Sequence, residues 1–290
     1  MYMTDPFEQK RHHEDQHLWG RQAHSPERKQ TVNRHENRKK MTSVSVFHYF
    51  RLIYRSILFL LLLIAYIIFR IRGGTDLMTR ADERPVIISV LFLVFTVEMI
   101  LRFFPSSLES PGCQKQFLRN YRKSGKTDLV VPDNNATVLV LLVWLCFNGI
   151  FGALYMIGVL DEGIMLLLSS AYSVCDMICI LFFCPFQTWF LKNKCCVTCR
   201  ICNWDYAMMF TPLFFVAKPY TWGLLILSVA LLVRWEITFY RHPERFCEST
   251  NDYLKCANCT EKLCNQKKQL LILWKQVEEY TLRQKQRLQR

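Results

Sequence analysis

The sequence holds no Walker-type phosphate loop, no dinucleotide-binding glycine pattern and no nucleophile elbow. Motor, kinase and serine-hydrolase readings therefore have no residues to rest on. Histidine is missing from every long apolar block, since His48 and His242 only flank the first and the last. A membrane haem gripped between helices by histidines is not expected. Negative charge is short as well: 24 Asp and Glu stand against 37 Lys and Arg, a formal net charge of +13. The excess lies between and beyond the apolar blocks, where membrane orientation requires it. Nucleic acid is not an expected partner.

What is present is apolar mass in long runs, with 51% of the chain hydrophobic. A helix needs roughly 20 mostly apolar residues to cross the hydrocarbon, and an open backbone cannot be satisfied there. Blocks of that size run from Ile53 to Ile71, Val86 to Phe104, Thr137 to Leu160, Gly163 to Leu191 and Trp222 to Tyr240. Between the last two, Tyr206 to Ala217 is shorter and is closed by Lys218-Pro219. Counted from Ile201 it reaches the lower limit for crossing; otherwise it is a re-entrant piece.

Lys and Arg near span ends mark the cytoplasmic side. Arg34, Arg38, Lys39, Lys40 and Arg51 precede the first span. Lys115, Arg119, Arg122, Lys123 and Lys126 follow the second, and Lys192, Lys194 and Arg200 follow the fourth. Arg241, Arg245, Lys255, Lys262, Lys267 and Lys268 follow the last. All four groups fall inside only if the Tyr206 stretch counts towards the topology. The expectation is an all-α, polytopic membrane protein with about six transmembrane helices, the fifth the weakest, and both termini in the cytosol. The lipid bilayer is its first partner and the plasma membrane its expected location. The loop from Arg72 to Arg84 carries three arginines on the outer side and departs from the rule. No secretory signal is expected ahead of the first span, because the preceding stretch is polar.

Three regions follow. Residues 1–50 form a polar tail with His12, His13, His17, His24 and His35, too polar to bury a core. Residues 51–240 form the membrane domain. Residues 241–290 form a cytosolic cysteine-rich segment and an amphipathic helix. In that helix Leu263, Leu270, Leu273, Val277 and Tyr280 repeat at heptad-like spacing. It is expected to meet a protein partner or a second copy of the chain, to pack on the protein's own inner face, or to lie on anionic lipid.

Thirteen cysteines need a compartment before they mean anything. On the inner side fall Cys195, Cys196, Cys199 and Cys202, and again Cys247, Cys256, Cys259 and Cys264. Cys196-x2-Cys199 and Cys256-x2-Cys259 have the spacing of two metal knuckles, in which a tight turn aims both sulfurs at one ion. These four are the first-choice ligands; Cys195, Cys202, Cys247 and Cys264 are alternates or members of a second site. As metal ligands they suit zinc or an iron–sulfur cluster; otherwise they are free cytosolic thiols, or disulfides if the orientation is the reverse. Cys196-x2-Cys199-x2-Cys202 matches the start of an iron–sulfur run, but Tyr206 stands where its next cysteine belongs. Cys184-Pro185-Phe186-Gln187 just before it is similar to a span-end stretch of ferredoxin-type membrane subunits, whose glycines and full cysteine run this chain lacks. Cys146, Cys175, Cys179 and Cys184 read as apolar thiols within spans, and Cys113 as a plain loop thiol.

Ionisable groups inside the membrane are costly and point to function. Glu98 has Arg102 four residues on, so a same-helix ion pair is expected. Asp176 has no charged neighbour on its helix, with Cys175 and Cys179 beside it. Three functional expectations follow: a membrane protein with a cytosolic cysteine-ligated metal centre, redox or structural; a transporter whose Asp176 serves protons or soft metal ions; or a scaffold with partner-binding tails. No enzymatic reaction is indicated.

Overall fold

The computed structural model describes residues 42–72, 85–125, 134–193, 195–259 and 261, with the backbone alone for 85–88. The histidine-rich tail, residues 73–84, Cys264 and the heptad-like helix lie outside the described residues.

The described residues are helical, with no strand among them beyond an isolated bridge between Lys123 and Asn251. Helix α1 runs Ser43–Ile71, α2 Pro85–Arg102, α3 Asn134–Met156 and α4 Glu162–Leu181. The short α5 spans Asp205–Phe210 and continues as a 3-10 turn over Thr211–Phe215; α6 is Pro219–Arg241. Four of these, α1, α3, α4 and α6, are long and apolar enough to cross a membrane. Helix α2 is a further apolar helix of 18 residues. Their outer faces carry Leu60, Leu61, Ile64, Leu142, Ile150, Ile226 and Val233 exposed. In water that surface would be an aggregation liability; in lipid it is the solvent-facing side.

Local chemistry explains the ends. Thr42 caps α1 by accepting from the Ser45 N–H, and Asp161 caps α4 by accepting from the Ile164 N–H. Pro219 opens α6, where its missing N–H costs nothing. Between α3 and α4 the chain turns at Gly158 with φ 77°, a conformation that favours glycine.

Two boundaries differ from expectation. The fourth helix ends at Leu181 rather than Leu191. Pro185 interrupts it, and Phe186–Phe190 follows as a separate wide helical turn. The fifth stretch is not one continuous helix. Its two pieces together rise about 19 Å, less than the roughly 30 Å of hydrocarbon. Instead of facing lipid, Tyr206, Met209, Phe210, Leu213 and Val216 are buried. The Ser169 hydroxyl of α4 donates to the Met209 carbonyl at 2.9 Å, and Val216 packs with Met165 near the start of α4. The stretch therefore runs antiparallel to α4 inside the bundle.

One end of the bundle is polar and closed. The loop after α2 meets the segment after α6 through Ser124 N–H to Thr250 C=O at 2.9 Å and Asp252 N–H to Arg122 C=O at 2.8 Å. Arg245 donates to the Gln116 carbonyl at 3.0 Å. The loop of residues 195–204 joins them where Trp235 Nε1 donates to the Arg200 carbonyl at 2.9 Å and Arg200 pairs with Glu236. Even the start of α1 takes part, since Ser45 donates to the Glu261 carbonyl and His48 lies 3.2 Å from the Glu261 carboxylate.

Candidate functional site

Two sets of side chains meet just inside this polar end. The first is a buried charge network. From α1, Arg51 pairs with Glu98 at 3.1 Å and with Glu109 at 2.6 Å. One turn on, Arg55 pairs with Glu98 at 2.9 Å and with Asp176 at 3.1 Å. Arg102 pairs with Asp205 at 2.5 Å and reaches Glu109 at 3.6 Å. Tyr54 and Tyr206 both donate to Glu98, at 2.5 and 2.9 Å.

The same-helix pair expected between Glu98 and Arg102 is thus replaced by pairs across helices. Glu98 is drawn to two guanidinium groups of α1, and Arg102 to carboxylates brought up by the loop and by α5. Asp176 finds its partner on α1. On sequence Arg51 counts only among the inside-positive residues, and Arg55 belongs to no motif. Their signal was two arginines four residues apart on an otherwise apolar helix, which places them on one face.

Burial alone would raise the Glu109 carboxyl, but Arg102 and then Arg51 outweigh it and hold the group below its ordinary value. A carboxyl depressed by folding adds stability above its unfolded pKa and loses it as pH falls through the folded one. The protein is therefore expected to lose stability as pH drops below about 4. Glu109→Gln should show a shallower slope there in detergent unfolding curves; parallel curves for the two proteins would contradict this.

The second set is thiols. Cys113 Sγ and Cys202 Sγ lie 3.5 Å apart, joining the loop after α2 to the loop before α5. Gly112 makes the approach feasible: a Cβ there would sit 2.8 Å from both the Cys196 carbonyl oxygen and Cys202 Sγ. Beside the pair, Lys115 is fully buried. It donates to the Val197 and Cys199 carbonyls at 3.0 and 2.7 Å and sits over Trp235 and Phe246. Burial pushes its ammonium below the ordinary value, while ionised Cys202, Cys199 or Cys113 would hold it up. Burial likewise pushes the Cys199 thiol up to about 11, and the bond to Cys113, then burial, push Cys202 up.

A cavity of about 290 Å³ opens beside these groups. Its wall includes Cys175, Asp176 and Cys179 of α4, Cys184, then Cys196, Cys199 and Cys202, and finally Asp205 of α5. It unites the Cys196–Cys202 run with the intramembrane Asp176 group, which the sequence kept apart. Cys196 Sγ also bonds Gln187 at 3.4 Å.

The second knuckle is not part of this cavity wall. Cys256 is exposed and Cys259 half-buried, and neither lines the cavity. Both knuckles close the same single turn, Cys199 N–H to Cys196 C=O and Cys259 N–H to Cys256 C=O. Cys247 is buried 2.9 Å from the Ser249 hydroxyl, and Cys195 is half-buried. Among the described residues no three His, Cys, Asp or Glu side chains stand together as one ion would need. Cys113, expected as a plain loop thiol, meets Cys202 of the first run. In the amino-terminal tail, His13-Glu14-Asp15-Gln16-His17 has the H-E-x-x-H spacing of zinc peptidases and lies outside the described residues.

The chain matches no protein-family model, no curated protein and no solved structure.

Proposed function

We propose that the chain is a plasma-membrane protein with five transmembrane helices and a buried fifth stretch that returns the chain inside the bundle, with both ends of its membrane domain in the cytosol, and that it carries a thiolate-ligated metal centre at its inner end. Cys113 and Cys202 are its first two ligands; Cys199 and Cys196, on the same cavity wall as Cys202, would close in on the ion as the third and fourth. The observation that carries this reading is the Cys113–Cys202 contact beside Lys115. Two thiolates on one tetrahedral ion with bonds of roughly 2.3 Å lie about 3.8 Å apart, close to the 3.5 Å between these sulfurs. A buried ammonium held by carbonyls, rings and thiols gains its counter-charge when a metal strips the thiol protons. Of the cofactors the sequence admits, zinc fits better than a four-iron cluster, in which each cysteine sulfur binds its own iron and the sulfurs stand farther apart.

The topology is supported by the shared polar end, where Lys115, Arg122, Arg200 and Arg245 accumulate. Elemental and optical analysis of protein purified without oxygen tests the centre. About one zinc per chain and no visible absorption is the expected result. Iron with visible absorption would replace the mononuclear site by a cluster, and metal-free, stable protein would end the reading.

A further inference from the structure

The charge network does not balance. Three guanidinium groups, Arg51, Arg55 and Arg102, face four carboxylates, Glu98, Glu109, Asp176 and Asp205. Two of the four are fully engaged. Glu98 takes Arg51 and Tyr54 on one oxygen, Arg55 and Tyr206 on the other. Glu109 is gripped by Arg51 through both oxygens. Asp176 and Asp205 are left to share what remains of Arg55 and Arg102, each through its Oδ2 alone. The other Asp205 oxygen, Oδ1, is buried without a hydrogen-bond partner, on a side chain only 7% exposed. Both aspartates line the thiol-walled cavity. Of the other described cations at this end, Lys115 is spent on two carbonyls, Arg200 is taken by Glu236, and His48 is matched by Glu261.

An isolated extra charge in a buried, low-dielectric site is expensive, and the cheapest remedy is to neutralise it. We infer that Asp176 and Asp205 hold one exchangeable proton between them, which makes the cavity a proton-binding site within the membrane domain. Arg55 from α1 and Arg102 from α2 bond the pair directly; Arg51, Tyr54, Glu98, Asn203 and Tyr206 belong to the same network, and Cys175, Cys179 and Cys202 share the cavity wall. With the proton on Asp205 Oδ1 three positive groups face three negative ones, and the oxygen that lacked a partner no longer carries a bare charge. This inference does not depend on the metal centre.

Infrared spectroscopy of the full chain in lipid tests it. At neutral pH the wild type is expected to show a protonated-carboxyl carbonyl band that shifts in heavy water and fades reversibly as pH is raised. Asp176→Asn and Asp205→Asn should each abolish the band, because either change removes the surplus charge. Asp161→Asn, at the other end of α4, should leave it in place. Both network variants are expected to keep wild-type thermal stability or gain some. If one fails to fold, the pH titration of the wild-type band still decides. Absence of the band in folded wild type, or its persistence in both variants, would overturn the inference.

Discussion

Arg55→Met is expected to cost about 3–5 kcal/mol of stability, the largest effect of any single substitution in the membrane domain. Arg55 is wholly buried and holds Glu98 and Asp176 at once while donating to the Ser173 carbonyl at 3.2 Å. Its loss strands one carboxylate outright, since Glu98 keeps Arg51 but Asp176 keeps no cation. Breaking a buried pair from one side is costly because the remaining charge cannot return to water. Adding Asp176→Asn to the variant should therefore recover about 1–2 kcal/mol. Arg70 offers the contrast: its 3.7 Å pair with Asp161 is half exposed, and Arg70→Ala should change stability by less than about 1 kcal/mol. Detergent-solubilised protein, unfolded by heat or by titrated SDS, gives all three numbers. If Arg55→Met unfolds like wild type, the network does not hold the helices together.

Cys202→Ser is expected to lower metal affinity by at least a hundredfold, and Cys113→Ser to do the same. Each removes one corner of a four-thiolate site, and a serine hydroxyl is a poor substitute for a thiolate. Lys115→Met should be milder, on the order of tenfold, because it removes a counter-charge and not a ligand. Gly112→Ala should behave like a ligand loss, since its Cβ pushes on Cys202 Sγ and on the Cys196 carbonyl together. Cys146→Ser, on the exposed side of α3, should change nothing. Competition with a chromogenic chelator measures the whole series. Equal affinity in Cys113→Ser and wild type would remove Cys113 from the site.

The membrane character was readable because a span needs only an uninterrupted apolar run, a local property of the chain. Where the run had an internal break, reading failed: α4 stops ahead of Pro185 although apolar residues continue to Leu191. The buried fifth stretch could not be resolved by length, because its surroundings are other helices and not lipid. Partners of charged residues were the least legible. Glu98 and Arg102 sit four apart on one helix, yet each is claimed by groups distant in sequence. The Cys113–Cys202 contact joins residues 89 apart, and no spacing rule covers that distance. The Cys196–Cys202 run was legible as chemistry; which thiol stands against it is a tertiary fact.

X-ray absorption at the metal edge of anaerobically purified protein tests the central claim most directly. The account predicts a zinc edge with sulfur neighbours only, at roughly 2.3 Å, losing sulfur scattering in Cys113→Ser. A first shell of nitrogen and oxygen, or an unchanged sulfur shell in that variant, would contradict it.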